Sequence, residues 1–207
     1  MADSYIPPRR GSIEHPLRIA VLISGGGSGL LALLNSQIST PSCHTTKLIL
    51  SDNSESQGLH YGSEFNIPSF LIELPEIHDK HHQRISHENL VHDKLIESNI
   101  ELVVMSGYMR ILTPTFVKKW KGRLINIHPS LLPKYPGAHA HRDALNDGAK
   151  ITGCTVHLVD EGVDTGEIIA QSEVPIFEDD TIEILQERVK IAEHLLYPKT
   201  LDYYCSK

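Results

Sequence analysis

The chain has 207 residues, 40% of them hydrophobic and 22% charged, with 19 Lys and Arg against 26 Asp and Glu for a formal net charge of −7. That length and balance describe one compact domain with material for a buried core, and they exclude a disordered or fibrous chain. The acidic surplus excludes a general nucleic-acid binder, which needs Lys and Arg in excess, but not a small anionic substrate met by a local field of opposite sign.

The 13 His stand out against 1 Trp and 3 Met and raise the question of a metal. Cys43, Cys154 and Cys205 are far apart and in no CxxC arrangement, which predicts reduced thiols in a cytoplasmic protein. No apolar run approaches the ~20 residues that cross a bilayer. Residues 1–16, with Pro7, Pro8, Arg9, Arg10 and Pro16 and no apolar signal region, read as a flexible, locally basic arm. Ordered structure is expected from Leu17 on, as a single domain over 17–207.

Leu17–Ile23 (LRIAVLI) is nearly continuous in branched apolar residues, the pattern of a strand covered on both faces. SGGGSG (24–29) follows, and then LLALLNSQI (30–38) at helical spacing. KLILS (47–51) and SFLIEL (69–74) are further strands, with a short helix between them. Residues 83–98 have helical period, ELVVM (101–105) is a fourth strand, 113–120 a helix and LINI (124–127) a fifth strand. This alternation predicts a mostly parallel, Rossmann-like sheet in an α/β/α three-layer fold. The pattern then changes: 152–159 and 167–174 both read as extended, joined by the turn-rich DEGVDTG (160–166), and predict antiparallel character at one side. A terminal helix runs from Ile182 to about Leu196, with Thr181 as its N-cap.

A strand, a glycine loop and a helix can cradle a phosphate, because glycines admit close approach and the first helical amides point outward. The loop fits neither the Walker pattern nor GxGxxG, since Leu30 stands where the third Gly would be. Asp52, after the second strand, weakly resembles the acidic ribose ligand of dinucleotide folds. A turn used only for tight packing is the competing reading. Asn126 and His128 share a face at the carboxyl end of the fifth strand, where open α/β sheets bind ligands. An amide beside an imidazole can stabilise an oxyanion, or simply satisfy buried backbone. Asp164, between Gly162 and Gly166, either supports His128 and relays protons or belongs to a solvated acidic turn. No GxSxG elbow or reactive-Cys context is present, which points to direct transfer between two substrates. His139 and His141, with His128, His157 and Cys154, complete no compact ligand set, so no metal is expected.

Together these segments resemble the folate-dependent glycinamide ribonucleotide formyltransferases. The resemblance rests on LISGGGSGLLALL (22–34), SGYMRILTPTFV (106–117), GRLINIHPSLLPKYPG (122–137), HAHRDAL (139–145), GCTVHLVDEGVDTGEII (153–169) and ERVKIAEHLLYP (187–198). It implies the formyltransferase fold and attack by the amine of phosphoribosyl-glycinamide on the formyl carbon of 10-formyltetrahydrofolate, in purine biosynthesis. Asn126 and a cationic His128 would stabilise the oxyanion, and Asp164 would support His128 and move the proton. Gly27, Ser28, Gly29, Lys190 and Glu193 would hold the ribonucleotide. Arg84, Met109, Arg110, Ile111, Leu112 and Asn126, with Asp160, Glu161, Gly162, Val163 and Asp164, would form the folate side. The family usually has Asn where this chain has Gly29. The partners implied are these two small molecules, with no nucleic acid, membrane or metal, in a monomer or homodimer. Formyltetrahydrofolate deformylase and a non-catalytic nucleotide-binding module are the competing functions.

Overall fold

The computed structural model describes residues 9–207. Strand β1 (Leu17–Ile23) runs through the centre of a seven-stranded sheet, and its alternation decides the layering. Leu17, Ile19, Val21 and Ile23 face one apolar core, Ala20 and Leu22 the other. A strand buried on both faces forces helices onto both sides. Helices α1 (Ser28–Ser39) and α6 (Ile182–Cys205) supply Leu30, Leu33, Leu185, Val189 and Leu201 to the first core. Helices α3 (Lys80–Glu97) and α4 (Pro114–Lys119) supply Val91, Leu95, Phe116 and Val117 to the second, beside Trp120.

The sheet order is β3 (Ser69–Leu71), β2 (His44–Ser51), β1, β4 (Leu102–Met105), β5 (Leu124–His128), β6 (Ile151–Leu158), β7 (Ile168–Pro175). The first five strands are parallel, and β6 and β7 add antiparallel pairs. The chain steps outward from β1 to β3 and then returns to the other side of β1 for β4. The crevice at that reversal, beyond the strands' carboxyl ends, is where such sheets take ligands.

The ends of β2, β3 and α3 differ from expectation by up to three residues, and three larger features differ as well. Helix α6 continues through Pro198 to Cys205 rather than ending near Leu196. A mid-helix proline costs about 3 kcal/mol, but the added turns bury Leu201, Tyr204 and Cys205, each side chain recovering roughly 1.5–3 kcal/mol. Residues 140–146 form an additional helix, α5 (Ala140–Asn146), set down by buried Ala140 and Ala144. Of the expected flexible arm, residues 1–8 lie outside the described residues, whereas 9–16 pack on the body. Arg9 holds Glu101 through Nε at 2.7 Å and Nη2 at 2.8 Å, and the buried Gly11 donates to the Cys205 carbonyl at 2.7 Å.

Candidate active site

The segments that follow β1, β4 and β5 converge on a cleft of about 710 Å³. Asn126 and His128 reach it from β5, with Ile125 and Ile127, which alternate with them, turned into the core. Pairing with β6 sets His157 directly across from Asn126, so the Asn126 Nδ2 and His157 Nε2 atoms lie 3.3 Å apart. The carboxylate of Asp164 comes between the two imidazoles, 3.3 Å from His128 Nδ1 and 3.6 Å from His157 Nε2.

Backbone atoms orient both rings. His128 Nε2 lies 2.8 Å from the Tyr135 carbonyl, and His157 Nδ1 lies 2.8 Å from the Leu158 carbonyl. A carbonyl only accepts, so each of those nitrogens carries a hydrogen, and the opposite edges face Asp164. The Tyr135 carbonyl is delivered by a loop that folds back over residues 129–137. Ser130 Oγ donates to the Lys134 carbonyl at 2.6 Å, and Thr155 Oγ1 donates to the Ser130 carbonyl at 2.6 Å. Thr155 Oγ1 also accepts from Leu132 N at 3.1 Å. The same loop presents the Gly137 amide to Asp164 Oδ2 at 2.8 Å. Asp164 itself sits in left-handed backbone (φ 54), a conformation held only when the surroundings over-determine it.

Burial pushes the Asp164 carboxyl up, but the neighbouring His157, the Gly137 amide and His128 pull it down further, leaving it below its ordinary value. The Gly137 amide donates whatever the state of His128, so Asp164 is an anion at neutral pH. Burial pushes His128 below the usual imidazole value, against the raising effects of the Tyr135 carbonyl and Asp164.

One end of the cleft is the glycine loop. Gly27 (φ 71) lies at the start of α1, and a Cβ there would come within 2.8 Å of Gly58 Cα. The loop is anchored from outside, since the Gly25 carbonyl accepts from Ser56 Oγ at 2.8 Å. Gly27, Ser28 and Gly29 all line the cleft, opposite Lys190 and Glu193 of α6. Tyr197 fixes that helix by lodging its hydroxyl 2.9 Å from the Met105 carbonyl and 3.1 Å from the Ile125 carbonyl. Residues 190, 193 and 197 share one helical face, so this anchor aims Lys190 and Glu193. Lys190 Nζ rests 2.5 Å from Glu187 Oε1, and burial pushes the Glu193 carboxyl up to about 7, against the lowering charge of Lys190.

The other end is walled by Met109, Arg110, Ile111 and Leu112 after β4, and by Asp160, Gly162, Val163 and Asp164. Met109 and Ile111 are 74% and 60% exposed, an apolar rim facing solvent. Arg110 Nε pairs with the buried Asp52 at 2.5 Å, and Ser24 Oγ donates to the other Asp52 oxygen at 2.6 Å. Asp52 is therefore engaged in tying two loops together, which removes the basis for reading it as a ribose ligand. Arg84 and Glu161 do not line the cleft: Arg84 is exposed on α3, and Glu161 pairs with Lys118 at 3.4 Å.

The cleft also draws in Gly137, His141, His157 and Gln186. His141 and His157 carry a sequence signal, polar residues inside segments that are otherwise apolar or motif-bearing. The Tyr135 carbonyl and Gly137 amide carry none, because a backbone atom leaves no mark in residue type. Among the described residues no group of three or more His, Cys, Asp or Glu gathers as a metal centre would require. The three cysteines are free thiols, and among the described residues no helix is long and apolar enough to cross a membrane.

A family model described as Formyl transferase matches residues 17–201. The chain belongs to that family. Among formyl transferase relatives, it is 49% identical over 186 residues to the trifunctional purine biosynthetic protein adenosine-3 of Chironomus tentans, covering 89% of this chain and 13% of that protein. The chain spans 13–19% of the length of the six trifunctional relatives it matches. It is 35% identical over 193 residues to the phosphoribosylglycinamide formyltransferase of Escherichia coli (strain K12), covering 91% of this chain and 87% of that one. Glycinamide ribonucleotide transformylase 1 from Symbiobacterium toebii superposes with a TM-score of 0.87 at 34% identity, over 92% of this chain and 88% of that one. The phosphoribosylglycinamide formyltransferase from Bacillus halodurans gives 0.85 at 38% identity, over 92% and 96%. The mostly parallel three-layer fold expected from the sequence is the fold these formyl transferases share.

Proposed function

We propose that this chain transfers the formyl group of 10-formyltetrahydrofolate to the amine of phosphoribosyl-glycinamide in purine biosynthesis. The observation that carries this reading is the Asn126–His128–Asp164 group in one cleft with a glycine loop that opens a helix and the apolar wall of Met109, Ile111 and Leu112. The names of the Escherichia coli and Bacillus halodurans relatives support phosphoribosyl-glycinamide as the formyl acceptor.

The substrate amine attacks the formyl carbon, a C–N bond forms, and the carbonyl oxygen becomes an oxyanion. The Asn126 amide donates to that oxygen. The Nε2 hydrogen of His128 is already given to Tyr135, so a His128 proton reaches the oxyanion through Nδ1, the edge shared with Asp164. Burial favours the neutral ring beforehand. The cationic His128 implied by resemblance therefore belongs to the step in which negative charge develops. Asp164 takes the proton released by the attacking amine, directly or through water, and shares it with His128 Nδ1 across 3.3 Å, which is how the neutral ring gains the proton that it turns to the oxyanion. That proton passes to the folate nitrogen as the original C–N bond breaks, so none is consumed overall.

The test is purified protein with 10-formyltetrahydrofolate, with and without phosphoribosyl-glycinamide. Formyl loss should require the ribonucleotide and appear as its N-formyl product. Equal loss without the ribonucleotide would overturn the reading in favour of hydrolysis.

A further inference from the structure

Gly29 is the second residue of α1 and sits in ordinary helical backbone rather than the left-handed region. Glycine is the poorest helix former after proline, and nothing in the backbone asks for it here. What it leaves is space: a Cβ at Gly29 would collide with the hydroxyl of Ser106, the residue that follows β4. Ser106 is held in place through its own amide, which donates to the Leu22 carbonyl at 3.0 Å. Its hydroxyl has no hydrogen-bond partner among the described residues, is not sealed from solvent, and lines the cleft with Gly27, Ser28 and Lys190. A free donor thus stands against the opening amides of α1, where the helix end favours an anion.

We propose that Ser106 is a phosphate ligand of the ribonucleotide subsite, its hydroxyl donating to a phosphate oxygen through the gap that Gly29 leaves. The inference rests on the proposed ribonucleotide substrate. Gly29 and Ser106 then work as a pair, the donor coming from the neighbouring strand instead of from position 29.

The experiment measures steady-state constants of wild type, Ser106→Ala, Gly29→Ala and the double variant, with phosphoribosyl-glycinamide and with its dephosphorylated nucleoside. Losing a hydrogen bond to a charged group should raise the ribonucleotide KM of Ser106→Ala about tenfold. The KM for 10-formyltetrahydrofolate should stay within about twofold of wild type, the hydroxyl lying at the phosphate end. Turnover of the nucleoside should not distinguish the two proteins. The double variant should be no weaker than Ser106→Ala, because without the hydroxyl the new methyl meets only the Cβ of residue 106, at an ordinary contact distance of 3.7 Å. An unchanged ribonucleotide KM, or equal weakening of both substrates, would overturn the proposal. If wild type transfers no formyl group at all, the functional reading fails separately. Calorimetric titration with inorganic phosphate then decides, and equal affinity for wild type and Ser106→Ala would refute the phosphate role.

Discussion

At the scale of single residues, the proposed chemistry turns on one carboxylate held between two imidazoles and a backbone amide. Replacing Asp164 with Asn keeps the shape and the Gly137 contact but removes the charge. We expect kcat to fall by about 10²–10⁴-fold, the usual range for a positioned acid–base group. Ribonucleotide affinity should be largely kept, because the phosphate cradle lies elsewhere in the cleft. Rapid-quench turnover and calorimetry would check the two halves separately, and undiminished turnover would refute the role. Glu193 makes a different test, through pH. Its folded value of about 7 lies above the 4.5 of an unburied carboxyl, so the folded chain binds that proton more tightly than the unfolded chain. The resulting stability is complete below about pH 4.5 and is lost as pH rises to about 7. Glu193→Gln should remove this slope and be more stable than wild type at pH 8, by on the order of 2 kcal/mol. Urea unfolding at pH 5 and pH 8 would show it; the same difference from wild type at both pH values would count against a raised Glu193.

At the scale of elements, the loop over residues 129–137 and the last helix do the positioning. Thr155 is fully buried, and its hydroxyl serves the Ser130 carbonyl, the Leu132 amide and Gln171 Nε2 at 2.9 Å. Thr155→Val keeps the volume and orphans those groups, which should cost about 2–4 kcal/mol in urea unfolding. Because the same loop carries the Tyr135 carbonyl to His128, kcat should drop as well, and a kcat equal to wild type would separate the loop from catalysis. Tyr197 plays the corresponding part for α6. Its phenolic group is pushed well above the usual range by burial, so it is a fixed donor to the strand ends. Tyr197→Phe should cost about 1 kcal/mol and raise the ribonucleotide KM, since Lys190 and Glu193 ride on that anchor; steady-state kinetics would report an unmoved KM if the anchor were irrelevant.

At the scale of the whole molecule, a net charge of −7 coexists with a proposed site for two anions. The groups on the cleft lining that can give the opposite local sign are Lys190, which rests on Glu187, and the first amides of α1. Of the arginines that resemblance placed there, Arg110 is bound to Asp52 and Arg84 stands outside the cleft. Of the N-terminal stretch, the described residues 9–16 touch the body and none of them lines the cleft. Arg9 and Gly11 tie it to Glu101 and to Cys205, on the far side from the cleft lining. Deleting residues 1–16 should lower stability by about 1–2 kcal/mol, one backbone bond and one exposed ion pair, with both KM values unchanged. Thermal melts and kinetics on the shortened chain would check this, and an altered KM would give the stretch a role at the site.

LRIAVLI, ELVVM and LINI announced buried parallel strands, because a strand covered on both faces has no polar alternation to hide it. The Asn-x-His pair was legible because strand period alone puts both residues on one face. The glycine loop was legible as a βα turn at the carboxyl end of the first strand, and the fold places Gly27, Ser28 and Gly29 in the cleft lining. Tertiary structure decided what periodicity cannot carry. Pairing of β5 with β6 brought His157 and Asp164 to His128, and a folded-back loop turned the Tyr135 carbonyl and the Gly137 amide into site atoms. Packing carried α6 past Pro198. The meaning of Gly29 also waited for the fold: it marks the space that Ser106, 77 positions away by their residue numbers, occupies. Local pattern fixes which face a residue takes, and only long-range packing decides what that face meets.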